Sequence, residues 1–139
     1  MKYSIQKIIS VVVILICLLM VSCSTKRHIM LKQTVLFEEV SDNIDLARNK
    51  YRNKKIIFTG VIDDIVYPID NPNECTIIFG GKDYIYETSG DCIFCRINER
   101  LDKSYEKKEV TINCKFDNVV KTTNGYYLIG LENGRLTKY

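Results

Sequence analysis

KKIIFTGVIDDIV, Lys54 to Val66, decides the fold class. It is dense in β-branched residues, which suit a pleated, half-buried surface, and Gly60 in its middle marks a bulge or sharp bend of the kind small barrels use to curl. Asp63 and Asp64 follow side by side. Neighbours in a strand point to opposite faces, so this pair is not expected to work as general acid and base.

Upstream, Val40, Ile44, Ala47 and Tyr51 fall along one stripe at a period near 3.6, which predicts a helix from Ser41 to about Asn53. Ser41 suits its N-cap, Asp42 and Asp45 the positive end of its dipole, and Arg48 and Lys50 the negative end. Downstream, YPIDNPN (Tyr67 to Asn73) reads as a loop. CTIIF (Cys75 to Phe79) and CIFCRI (Cys92 to Ile97) read as buried strands separated by the polar-aromatic excursion GGKDYIYETSGD. Glu99 to Lys107 suits a short helix burying Leu101 and Tyr105. EVTINCKF (Glu109 to Phe116) and YYLIGL (Tyr126 to Leu131) complete the set, the latter entered by the hairpin signal Asn124-Gly125. A mainly β chain of five strands, with a helix in front and a short helix between strands three and four, matches the five-stranded Greek-key barrel of the OB-fold. An α+β sandwich also fits the pattern.

ARNKYRNKKIIFTGVIDDI (Ala47 to Ile65), a cysteine-bearing strand and KKEVTINCKF together resemble the tRNA-anticodon-like (tRNA_anti-like) family of exported bacterial proteins. That family pairs a helix ending in Lys-Tyr-x-x-Lys with a strand carrying Thr/Ser-Gly-Val-Val/Ile-x-x-Ile. Lys50, Tyr51, Lys54, Thr59, Gly60, Val61, Ile62 and Ile65 match the scheme, and Cys95 falls where the third strand often has a cysteine. The resemblance covers about Ser41 to Leu136 and implies the OB-fold; it brings no catalytic residues with it.

The N-terminus supplies an address. Lys2 and Lys7 precede an apolar run from Ile8 to Val21, the layout of a secretory signal. A helix needs about 20 residues to cross a hydrocarbon core, more than this run holds. Met20-Val21-Ser22-Cys23 resembles a bacterial lipobox. By that resemblance residues 1–22 are a lipoprotein signal peptide removed before Cys23, which carries the lipid and a palmitate-type acyl chain. An uncleaved signal anchor and an ordinary cleaved signal are the alternatives weighed. Residues 23–38 are read as the lipid-anchored tether and 39–139 as the OB-fold domain. Ser24 to Lys26 contain no acidic residue, which favours the outer membrane, facing the periplasm, if the cell has one.

Without the leader the chain keeps 117 residues, enough for one small domain. Of its 20 Lys and Arg, Lys2 and Lys7 leave with the leader, so 18 basic side chains face 17 acidic ones and the net charge is +1. Nucleic acid is therefore an unfavoured partner, because phosphate neutralisation normally calls for a dominant basic surface; a local patch stays open. His28, the single histidine, reads as a solvated residue near the membrane surface.

Cys75, Cys92, Cys95 and Cys114 form an even set that, outside the cytoplasm, points to disulfides of undetermined pairing or to buried thiols. Cys92-Ile93-Phe94-Cys95 has the spacing of thiol oxidoreductases but lies in an apolar strand, and a four-cysteine zinc site would want two close pairs. Neither a metal nor a cofactor is expected. OB-folds usually bind along strands two and three and the loops between strands one and two and four and five. This selects Tyr67 and Asp70 in the first loop, Lys82, Tyr84 and Tyr86 in the excursion, and Lys121 and Asn124 in the last. The plainer account has the tyrosines covering the barrel and the lysines solvated. There is no phosphate-cradling glycine loop, nucleophile elbow or zinc-binding histidine pair. The expectation is thus an envelope module, not an enzyme, that binds a protein, glycan or small ligand. Oligonucleotide binding is the alternative, with thiol redox or zinc binding more remote.

Overall fold

The structure is a computed structural model that describes residues 28–81 and 90–137. The leader, Cys23, Lys82, Tyr84 and Tyr86 lie outside the described residues. The described chain is mainly β and runs in the order β1 (Ile29–Lys32), α1 (Gln33–Asp42), α2 (Ile44–Tyr51), β2 (Lys55–Val61), β3 (Asp64–Val66), β4 (Cys75–Gly80), β5 (Cys92–Ile97), a 3-10 turn (Lys103–Tyr105), β6 (Glu109–Lys121) and β7 (Tyr127–Leu136). Its strands form one mixed sheet in the order β1-β2-β6-β7-β5-β4-β3. β1 pairs parallel with β2 and β5 parallel with β7; the other pairs are antiparallel.

The five-stranded barrel is thus corrected to seven strands in one sheet whose ladder stays open, with β1 and β3 at its edges. One added strand is β1, which lies in the segment read as tether. Leu31 packs into the core, as do Leu36 and Val40 of α1, so the folded part begins about ten residues before position 39. The other comes from division of the expected first strand. Gly60 is no bulge: it stays in register opposite Val110. A Cβ there would stand 2.7 Å from Gln33 Oε1 and 3.0 Å from the rings of Phe58 and Phe79, so glycine is required by close approach. The break comes at Ile62 and Asp63. Ile62 leaves the ladder to exchange backbone bonds with Lys107 and Lys108 (2.7 and 3.0 Å), and Asp63 N donates to Ile78 O (2.8 Å), opening the pairing of β3 with β4. The chain thereby changes partner from β6 to β4 within two residues. Val61 and Asp64 are at most about 11 Å apart along the chain, although β2 and β3 stand second and seventh in the sheet. The sheet therefore curls.

The predicted helix is two helices. Asn43 has extended backbone (φ −158°, ψ 98°) and its side chain accepts from Leu46 N at 2.9 Å, so Asn43 is the N-cap and Ser41 belongs to α1. The buried stripe is as read: Val40, Ala47 and Tyr51 all face the core. Glu39 clamps the two helices, accepting from Lys50 Nζ (2.7 Å) and Tyr51 Oη (2.7 Å). Burial raises the Glu39 carboxyl, but these two hydrogen bonds outweigh it and hold it below the usual carboxylate range. The short helix expected over Glu99 to Lys107 is only a 3-10 turn capped by Asp102; Leu101 is buried, whereas Tyr105 is 37% exposed.

Inward-facing residues recur with period two: Ile56 and Phe58 on β2, Ile77 and Phe79 on β4, Ile93, Cys95 and Ile97 on β5, Ile112, Cys114 and Phe116 on β6. The helices cover this core, with Tyr51 against Phe116 at 5.8 Å between ring centroids. Gly134 permits the closest approach of β7 to β5; a Cβ there would lie 2.5 Å from Ile97 Cδ1 and 2.8 Å from Cys95 Sγ.

Candidate functional site

Gly80, at the end of β4, lies where the curled sheet meets itself, and side chains do the joining there. Gln33 Nε2 donates to Gly80 O (2.6 Å) and its Oε1 accepts from Val61 N (2.9 Å), so one amide bridges the ends of β4 and β2. Asp63 Oδ2 accepts from Gly80 N (2.6 Å), and Lys107 Nζ donates to Asp63 Oδ1 (3.0 Å) and to its carbonyl (3.2 Å). Lys107 has φ 64°, a strained conformation for a residue with a side chain. Asp64 is 5% exposed; Oδ1 accepts from Ile65 N (2.8 Å) and lies 3.6 Å from Lys103 Nζ. Glu106 Oε1 is 3.1 Å from the same ammonium, near enough for an ion pair although among the described residues it has no hydrogen-bond partner of good geometry. The adjacent carboxylates of the sequence thus serve as anchors of the strand break.

The residues selected for binding divide between two ends of the molecule. Tyr67 and Asp70 belong to the loop before Cys75, which pairs with Ile97; Lys121 and Asn124 belong to the hairpin before Tyr127, whose N–H donates to Asp91 Oδ1 (2.7 Å) beside Cys92. The six-residue strands β4 and β5 separate them by about 20 Å at ~3.4 Å per residue. Tyr67 is a strut: its hydroxyl donates to Leu101 O (2.8 Å) and the Arg100 guanidinium stacks 4.3 Å above its ring. Asp70 is exposed in its loop. Lys121 stands 5.2 Å over Tyr127, and Asn124 is exposed in a turn completed by Gly125 at φ 89°. The excursion leaves and re-enters beside this hairpin, since Gly81 N donates to Asp91 O (2.7 Å).

The outward row of β4 and β5 escaped residue-by-residue selection. Thr76 stands opposite Arg96 and Ile78 opposite Phe94, with Ile78 buried, Thr76 and Phe94 half-buried and Arg96 exposed. Two open grooves along β6 also went unselected. One, of about 500 Å³, is lined by His28, Lys55, Cys114, Lys115, Asn133 and Arg135. The other, of about 740 Å³, lies between α2 and the far half of β6, with Arg48, Arg52, Asn53 and Lys121 in its wall. Bulk charge conceals these basic groups; the phase of the alternation, which sets Asn113 and Lys115 outward and Cys114 inward, would have located part of them.

The described cysteines are free thiols, all buried, so the disulfide expectation is corrected. Cys92 faces outward on β5 and Cys95 inward, because residues three apart in a strand point to opposite faces. Cys75 Sγ donates to Glu99 O (3.3 Å). Burial pushes the Cys75 thiol up, and burial with the nearby Asp91 charge pushes Cys92 up to about 11. A hydrogen bond to Cys114, with burial, holds Cys95 well above the usual thiol range. Thiolates are disfavoured at all three, the reverse of what a redox nucleophile needs. Among the described residues no three His, Cys, Asp or Glu are placed to hold a metal ion.

No family model and no curated protein matches the chain. A solved structure of a Leishmania major Friedlin protein described as an aspartyl-tRNA synthetase is similar at 9% identity and a TM-score of 0.42, over 83% of this chain and 22% of that one. This chain therefore spans about a fifth of that protein. The resemblance to the tRNA-anticodon-like family rests on the residues quoted above.

Proposed function

We propose that the protein is a lipid-anchored module of the bacterial cell envelope, with an OB-like domain that binds a protein, glycan or small ligand and does not catalyse. The change of partner at Ile62 and Asp63 carries the fold part of this proposal: one continuous stretch serves β6 on one side and β4 on the other, as the bent first strand of a partly open Greek-key barrel would. On this assignment β2 with β3, β4, β5, β6 and β7 are the five barrel strands, and β1 is an addition at the edge. The basic leader, the short apolar run and Met20-Val21-Ser22-Cys23 support the anchor. Asp63 and Asp64 are occupied in holding the strand break, and the buried thiols are pushed toward their neutral forms, which supports a binding role over a catalytic one.

The binding surface we assign is the outward row of Thr76, Phe94 and Arg96, on what would be barrel strands two and three, with Ile78 buried in the same row. A photo-crosslinking residue at Arg96 should capture a partner in cells where one at Asp70 does not; equal capture at both sites removes this surface. Metabolic palmitate labelling tests the anchor, with label expected in the wild type and lost in Cys23→Ala. Equal label in both removes it.

Oligonucleotide binding is the second reading, favoured by the exposed Arg96 beside a half-buried aromatic ring. It predicts tight binding to single-stranded DNA or RNA that weakens steeply with salt and is lowered by Phe94→Ala. The near-neutral chain leads us to expect no such binding.

A further inference from the structure

The near-zero net charge hides an uneven distribution. Lys55 stands directly opposite Lys115 and Asn113 opposite Arg135, while Phe116 N donates to Lys54 O. Two like charges facing each other across a ladder destabilise it, and only Lys115 is relieved, by Glu132 at 2.8 Å. Farther along β6 the second groove adds Arg52 and Lys121. Arg52, Lys54, Lys55, Lys121 and Arg135 form no ion pair with a described residue, and of the acids of β6 Asp117 and, at its first residue, Glu109 are equally free of one. Five cations therefore outnumber two anions along and beside this strand.

His28, first of the described residues, lines the groove that holds Lys55 and Arg135. Cys23 is five residues upstream, a length of chain that spans at most about 18 Å. We infer that the β6 belt of Arg52, Lys54, Lys55, Lys121 and Arg135 is the face the domain lays on its own membrane, and that its partner is a bilayer surface of anionic phospholipid headgroups. This rests on the anchor proposed above: a lipid on Cys23 keeps the mouth of the groove close to the bilayer, and cations at such a surface are attracted within roughly one Debye length of ~8 to 10 Å. Acyl chains fix the distance; the belt sets the orientation. The row Thr76 to Arg96, on other strands of the sheet, would stay open to a ligand.

The test uses the mature lipidated protein in phosphatidylcholine vesicles with and without phosphatidylglycerol, given a brief pulse of an amine-acetylating reagent and read by peptide mass spectrometry. Lys54, Lys55 and Lys121 should be protected several-fold only where phosphatidylglycerol is present, and high salt should abolish the protection. Lys108, exposed near the opposite end of β6, is the internal reference. Lys55→Glu with Arg135→Glu should weaken the interaction by at least about five-fold for each residue changed, since each loses an attracted cation and gains a repelled anion, and Lys54 and Lys121 should become reactive. Equal acetylation in both kinds of vesicle overturns the inference. So does protection by a single-stranded oligonucleotide where the anionic vesicles give none, which would make the belt a nucleic-acid surface. The mass of Cys23 in the starting material reports the anchor separately. If it carries no acyl group, the unlipidated chain is titrated with the same vesicles: binding that needs phosphatidylglycerol and is lost in the double variant sustains the belt, and absence of binding ends it.

Discussion

Beyond the short parallel pairing with β1, two junctions hold β2 in place, and they are built differently. Along β6 it is paired by seven consecutive residues, Lys55 with Lys115 through Val61 with Glu109, without a shift of register. Where its end meets the end of β4 no backbone pairing joins the two, and Gln33 and Asp63 supply the bonds to Val61 N, Gly80 O and Gly80 N. The first junction spreads its stability over many backbone bonds and a packed interior. The second concentrates it in two side chains, each saturating backbone groups that would otherwise be unpaired.

The largest effect is expected in the interior behind the ladder. Phe58 is fully buried and meets Phe79 edge-on at 4.9 Å. Phe58→Ala should lower unfolding stability by about 3 to 5 kcal/mol in denaturant titration; a loss below about 1 kcal/mol would mean that β2 and β4 do not share a core. At the junction of side chains, Asp63→Ala should cost about 1 to 3 kcal/mol by stranding Gly80 N and Lys107, while Asp63→Asn should cost less because an amide oxygen still accepts. Combined with Gln33→Ala, the two losses should fail to add by 0.5 kcal/mol or more, since both residues serve Gly80. Simple additivity would show the junction to be two independent bonds. Cys92, opposite Gly80, offers a pH-dependent probe of the same place. Its folded thiol titrates at about 11 against an ordinary value of 9.0, so the neutral form is the stabilised one. That contribution is whole below pH 9 and falls away as the pH rises to about 11, a loss on the order of 2 kcal/mol that Cys92→Ala should remove from the alkaline limb. The smallest change belongs to the ladder's surface. Lys115→Ala gives up the exposed pair with Glu132 but also relieves the repulsion by Lys55, and should shift stability by less than about 1 kcal/mol in either direction.

The same contrast explains what could be read from the chain beforehand. Strands β2, β4, β5, β6 and β7 were legible because each is a short run rich in β-branched and apolar residues, among them Ile56, Phe58, Ile77, Ile93 and Ile112, set between turn or loop signals. The joining of β2 to β4 has no period. A glutamine 27 residues before Gly60 carries no local sign that it will cross the end of the sheet, and Gly60 reads as a bulge until Gln33 stands beside it. β1 escaped notice for a related reason: at four residues it is too short for alternation to register, and Met30 is exposed where a core strand would be apolar inward. Asn43 divides the helical stripe without altering its phase, so the periodicity ran through the break. Among the selected site residues, Tyr67 illustrates the limit of composition. An aromatic beside charged groups suits a ligand, yet its hydroxyl and ring are used by Leu101 and Arg100 of this chain. The basic belt stayed hidden because net charge sums over all directions.

Placing Cys75 and Cys95 on the inner side of the sheet, both 0% exposed, also equips the molecule with a counter of its own opening events. A membrane-impermeant alkylating agent reaches these sulfurs only when the strands part, so the pace at which they are capped measures how often the whole sheet comes undone. Loss of the bridge at Gln33 alone would leave that pace nearly unchanged if the strand ends merely fray. It would quicken sharply if that bridge is what keeps the curl shut.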